Sequence, residues 1–154
     1  MKIISGGQTG ADLGGLEGAK KAMVQTGGMA PRGYRTENGS NYELDTVYGL
    51  SASHDYKYNH RTEHNIRTSD ATVIFAGNIH SAGTQLTITT CRNNYKPYLC
   101  NPKVKELVSF IKYHNVNILN VAGNRESVCP GIQKLTCDAI YKTLRKLNEK
   151  EISD

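Results

Sequence analysis

Lys2-Ile3-Ile4-Ser5-Gly6-Gly7-Gln8-Thr9-Gly10-Ala11-Asp12 is the stretch whose reading decides the fold. A short β-rich run, 2–5, enters a turn holding three glycines, and a helical pattern follows at once. Ala11, Leu16, Ala19 and Met23 give residues 9–25 a loose apolar face at helical spacing. Such a junction aims backbone N–H groups at one spot, at the positive end of a helix dipole, where an anion such as phosphate fits. Glycines there let the backbone approach a ligand without Cβ clashes. Thr9 is positioned to cap the helix through its hydroxyl, and Asp12 falls in the first turn, where the dipole stabilises a carboxylate. The stretch matches neither GxGxxG nor GxxxxGK[ST], so mechanism alone makes it an anion cradle, with Gly6, Gly7, Gln8, Thr9, Gly10 and Asp12 as its candidate residues.

Outward from that turn the signals keep alternating. Gly27-Gly28 is expected to end the first helix, and residues 28–30 to form a second short strand. A long polar loop spans 31–56, the kind of irregular segment that is usually functional or flexible. A short polar helix is expected over 58–68. The near-continuous apolar run 71–76 fits a strand buried on both faces. Helices over 84–94, 103–114 and 132–149 then alternate with strands over 97–100 and 117–121. This order implies an α/β fold, a mostly parallel sheet with helices on both faces, in one domain over 1–154. Ligands on such sheets sit beyond the strand C-termini, at a switch point in strand order.

The loops at that edge carry the remaining candidates. Arg32 and Arg35 offer forks that suit phosphate, and Tyr34 between them can stack on a ring. Arg61 and Asn65, four apart, share one helix face. His80-Ser81-Ala82-Gly83-Thr84 repeats the logic of the first turn, with Ser81, Gly83 and Thr84 at a second helix N-terminus. The last loop adds Arg125 and Ser127.

Composition narrows the partner. The chain has 154 residues, a net charge of +5 and 38% hydrophobic residues. An excess of positive charge suits an anionic partner. No nucleic-acid motif accompanies it, so a small anionic ligand is expected rather than nucleic acid. Lys142, Arg145, Lys146 and Lys150 form the solvated face of the last helix. The longest apolar runs are too short to span a membrane, and no signal pattern opens the chain, so a cytoplasmic protein is expected, in the host cytoplasm if viral. The four cysteines form no CxxC pair, and the histidines complete no zinc spacing; the thiols are expected to be buried or incidental and no metal site is expected.

Several motifs, in order along nearly the whole chain, resemble the molybdenum-carrier family of the Rossmann-like superfamily that also holds the LOG and DprA types (SLOG). They are GGQTGAD, Pro31-Arg32-Gly33, Arg61-Thr62-Glu63-x-Asn65, Ser69-Asp70-Ala71-Thr72, Gly83-Thr84-x-Leu86-Thr87 and Val121-Ala122-Gly123-x-Arg125-Glu126-Ser127. The resemblance implies a Rossmann-like fold and a site for a nucleotide derivative or a pterin such as molybdopterin, with no resident cofactor required. It also implies a homo-oligomer, a dimer or tetramer. LOG-type phosphoribohydrolases carry a catalytic Glu in a PGGxGTxxE motif, and Thr87 stands at that position here. Cleavage of an N-glycosidic bond needs a carboxylate, which Glu37, Glu63 or Asp12 would have to supply. The expected function is therefore non-catalytic binding of a phosphate-bearing nucleotide-like or pterin-like molecule, for carriage or for sequestration, the latter including a viral sponge for a nucleotide immune signal. The alternatives are a LOG-like nucleotide N-glycosidase and a DprA-like single-stranded DNA binder.

Overall fold

The computed structural model describes residues 1–55 and 57–153, with side chains given at all of these except Tyr58 and residues 150–153. In chain order the first half holds β1 (Lys2–Ile4), α1 (Ala11–Lys21), β2 (Gln25–Gly27), β3 (Met29–Ala30), a turn of 3-10 helix (Arg32–Tyr34), β4 (Arg35–Thr36), β5 (Gly39–Ser40), α2 (Glu43–Thr46) and β6 (Ser51–Ala52). The second half holds α3 (Tyr58–Thr68), β7 (Ala71–Phe75), α4 (Ala82–Asn93), β8 (Tyr98–Cys100), α5 (Val104–Tyr113), β9 (Ile118–Gly123) and α6 (Ile132–Ser153).

Five strands pair in parallel in the order β2-β1-β9-β7-β8. All five residues of β7 are buried, as its unbroken apolar run requires of a strand covered on both faces. On one face Ala19 of α1, Leu107 and Ile111 of α5, and Ile140 and Leu144 of α6 pack with Ile3, Leu119 and Val121 of the sheet. On the other, Ile88 of α4 packs with Ile74, and α3 lies beside α4. The fold is the expected α/β, Rossmann-like arrangement. α1 and α6 approach so closely that a Cβ on Gly14 would lie 2.3 Å from the Gln133 carbonyl oxygen, and one on Gly18 2.5 Å from that of Cys137.

Three expectations are corrected. Helix α1 ends at Lys21, not at Gly27-Gly28. Met23 takes the left-handed conformation (φ 61°), its N–H reaches the Lys20 carbonyl and that of Val24 reaches Ala19, which closes a Schellman turn without glycine. The second strand of the sheet is therefore Gln25–Gly27, and Met29–Ala30 leaves the sheet to pair with β6. The segment from 31 onward is no irregular loop. It holds the β4–β5 hairpin and α2, and fully buried Leu44 joins Leu50, Ala30 and Leu16 in a second apolar cluster. The expected end of that loop at Tyr56 and the Lys150 side chain lie outside the described residues.

The cysteines are free, with Cys91 buried and burial pushing its thiol pKa up. No described helix is long and apolar enough to cross a membrane. No three His, Cys, Asp or Glu side chains among the described residues come together as a metal site.

Candidate functional site

β1, β9 and β7 are neighbours in the sheet, yet β2 and β8 leave them in opposite directions. At such a switch point the loops leaving the strand C-termini diverge and open a crevice. Here it is a cavity of about 500 Å³, inside the range of roughly 300–1,000 Å³ typical of small-molecule sites. Gly6, Gln8 and Asp12 form one wall, and Ser81, Ala82 and Gly83 at the start of α4 form another. Asn120 to Arg125 form the floor and rim, and α3 contributes Asn59, Arg61, Thr62 and Asn65.

Asn124 holds three of these loops together. Its side-chain amide donates to the Asn78 carbonyl (3.0 Å), the Ser81 hydroxyl (3.1 Å) and the Thr84 hydroxyl (3.2 Å), and its side-chain oxygen accepts from the Asn78 N–H (2.9 Å). Its main-chain carbonyl accepts from the Ala11 N–H. The loops after β1, β7 and β9 thus meet on one buried residue. Glu37 makes a second tie. It accepts from the Thr9 hydroxyl and from both the hydroxyl and N–H of Ser127. Burial works against the Glu37 carboxylate, but these hydrogen bonds and the Arg125 charge outweigh it and hold its pKa below the ordinary glutamate value.

The first turn is engaged from within. The N–H groups of Gly7, Gln8, Thr9 and Gly10 donate to Ser5 Oγ, Asp12 Oδ2, Gln8 Oε1 and Gln133 Oε1. A cradle using the N–H groups of Gly7 and Gly10 is therefore corrected: protein acceptors already hold both. The cap is Gly10, without a side-chain bond, since the Thr9 hydroxyl turns to Glu37. Helix α4 differs. Ser81 Oγ accepts from the Thr84 N–H, which removes that donor, while the Ala82 and Gly83 N–H groups take no acceptor among the described residues. The helix start with N–H groups left open toward the cavity is thus that of α4.

Asp12 is buried against Arg61 at 2.9 Å. Burial raises its pKa more than the Arg61 charge and the Gln8 N–H lower it. Glu63 pairs with Arg67 instead and does not line the cavity. Among the lining residues Arg61 and Arg125 against Asp12 leave a positive excess.

Nine sequence-predicted residues meet here: Gly6, Gln8, Asp12, Arg61, Asn65, Ser81, Gly83, Arg125 and Ser127. The Asn65 amide is spent on both polar atoms of the Met29 backbone, so Asn65 positions β3. Arg32, Tyr34 and Arg35, expected to supply charge and a stacking ring, are not among the residues lining this cavity. Tyr34 packs against the second apolar cluster, edge-on to Tyr42. Gly7 and Thr9 line a smaller pocket of about 300 Å³ beside Thr36 and Asn38. Thr84 is buried behind the α4 cap. Thr87, at the LOG glutamate position, does line the cavity, with its hydroxyl on the Gly83 carbonyl. Sequence reasoning missed Asn59, Thr62 and Asn120. The last had a signal, an amide inside the apolar run of β9; it is buried and donates to the Thr72 hydroxyl.

A family model described as the circularly permutated YpsA SLOG family matches residues 3–144. A crystal structure from Syntrophus aciditrophicus, of a protein described as a putative molybdenum carrier protein, superposes with a TM-score of 0.83 at 33% identity, over 93% of this chain and 94% of that one. No curated protein matches.

Proposed function

Since the chain belongs to the circularly permutated YpsA SLOG family, we propose that it binds a phosphate-bearing nucleotide-like or pterin-like molecule in this cavity and holds it, for carriage or sequestration. The observation that carries the reading is the open start of α4. Two unclaimed N–H groups, at Ala82 and Gly83, stand at the positive end of a twelve-residue helix and line the same cavity as Arg125. Phosphate fits that set, and the polar walls leave room for a ring system. The relative described as a molybdenum carrier is consistent with a pterin phosphate as cargo. Release of such a ligand to a partner would be carriage, and retention would be sequestration, as in a viral sponge for a nucleotide signal. No resident cofactor is needed for either. A cytoplasmic homo-oligomer completes the proposal, to be measured by native mass spectrometry.

The test is native mass spectrometry of the purified protein, followed by thermal shift with nucleoside monophosphates and neopterin phosphate. Gly83→Asp is the diagnostic variant. A Cβ there meets nothing within 4 Å, and a carboxylate suits a helix start while repelling phosphate. Binding should be present in the native chain and lost in the variant. No phosphate-bearing species and no shift in the native chain would overturn the reading.

A second reading, N-glycosidic hydrolysis, is favoured by one observation. Asp12 is the one carboxylate lining the cavity among the described residues. Free base released from a nucleoside monophosphate, and not released by Asp12→Asn, would establish it.

A further inference from the structure

Gln8 is 6% exposed and lines the cavity. Its Oε1 accepts from two main-chain N–H groups, those of Thr9 (3.0 Å) and Glu37 (2.9 Å). The amide therefore cannot turn over, because a flipped NH₂ would face two donors. That fixes Nε2 as the group turned away from these two donors, and Nε2 is buried with no acceptor among the described residues. A buried donor without an acceptor is costly, and a ligand acceptor removes the cost.

Asp12 complements it. Both donors that reach its carboxylate, the Gln8 N–H (3.2 Å) and Arg61 Nη1 (2.9 Å), bind the same oxygen, Oδ2. Oδ1 accepts from no protein donor among the described residues. Two residues of one turn that line the cavity thus hold a fixed amide donor and a carboxyl oxygen, each without a partner among the described residues.

We infer that Gln8 and Asp12 select a heterocycle with an oxo group beside a ring N–H, the lactam edge shared by 6-oxopurines and pterins, and reject the reversed pattern of a 6-aminopurine. The inference rests on the proposed binding of a phosphate-bearing ring compound in this cavity and adds which ring. The oxo group accepts from Gln8 Nε2, and the ring N–H donates to Asp12 Oδ1. Adenine offers an amino donor and a bare ring nitrogen at the same positions, so it would set donor against donor and acceptor against acceptor.

The experiment is titration calorimetry of the full chain with inosine monophosphate, adenosine monophosphate and neopterin phosphate. The first two differ only at this edge, and the third separates a pterin source from a purine source. At least one lactam ligand should bind about tenfold or more tightly than adenosine monophosphate, since sites built around buried polar groups reject ligands that leave them unpaired. Gln8→Glu keeps an acceptor for the Thr9 and Glu37 N–H groups and turns the donor into an acceptor. It should weaken the lactam ligand at least tenfold and abolish the preference, with circular dichroism unchanged. Equal affinity for inosine and adenosine monophosphates, with neopterin phosphate no tighter, would overturn the inference and leave phosphate binding standing. A preference that survives Gln8→Glu would also overturn it. No binding of any of the three would overturn both the inference and the binding function beneath it.

Discussion

Gly10 and Gly83 are both glycines at the start of a helix, and they answer to different constraints. Gly10 has φ 80°, and a Cβ on it would lie 2.3 Å from the Asn124 carbonyl oxygen. Gly10→Val should therefore lower the unfolding midpoint of the whole protein, so loss of ligand binding in that variant would say nothing about the ligand. Gly83→Ala has open space and removes a flexible residue from a helix, and it should be neutral or stabilising by up to about 1 kcal/mol. Thermal unfolding of the two variants side by side checks the contrast. Asn124 is the residue whose loss should be felt most widely among the loops. Asn124→Ala leaves the Asn78 backbone groups without their partners and should cost roughly 1–3 kcal/mol. Hydrogen exchange should show faster opening at 78–84 and not in α5.

Among the elements, the α1–α6 contact sets two effects against each other. Alanine in place of Gly14 improves helix propensity by roughly 1 kcal/mol. The new Cβ would meet the Gln133 backbone at 2.3 Å, and overpacking of that kind costs roughly 1–3 kcal/mol. Gly14→Ala should therefore be net destabilising, by on the order of 1 kcal/mol in a denaturant titration. Leu44→Ala, at a fully buried anchor, should cost roughly 2–5 kcal/mol. The long elements were legible in the sequence. The apolar run of β7 and the spacing of Leu107, Val108 and Ile111 in α5 state their structure directly. The 31–55 segment was not, because its elements are two to four residues long and hang on Leu44 and Leu50, too sparse a pattern for any periodicity. The closed state of the first turn was hidden for another reason. Gly10 finds its acceptor on Gln133, at the far end of the chain, and no local reading of GGQTGAD contains that contact.

Across the whole molecule, acidity should loosen the cavity rim before it unfolds the sheet. Glu37 has a folded-state pKa below its ordinary value, so its contribution is present above that value and is lost as pH falls through the lowered one. Asp12 acts in the opposite sense, because its folded-state pKa is raised. Removing Glu37 isolates the first effect. Glu37→Gln should lose stability at neutral pH and show a weaker decline of stability below about pH 4.5 than the native chain, in unfolding curves recorded across that range. The sheet was anticipated in kind, as a parallel one with helices on both faces, while the central place of the last strand was not. Only pairing across 115 or more residues puts β9 against β1, and sequence alternation is silent on which neighbours a strand chooses.

That placement of β9 bears on how the protein is made. A ribosome delivers β1, β2, β7 and β8 before the strand that must lie between β1 and β7. Until Gly123 clears the exit tunnel the nascent chain holds two separate strand pairs with bare inner edges, the exposure that invites mispairing and chaperone capture. The cavity comes into being in that same step, because its floor is β9 itself. Arrested nascent chains ending before Ile118 should be protease-sensitive, and those extended past α6 resistant.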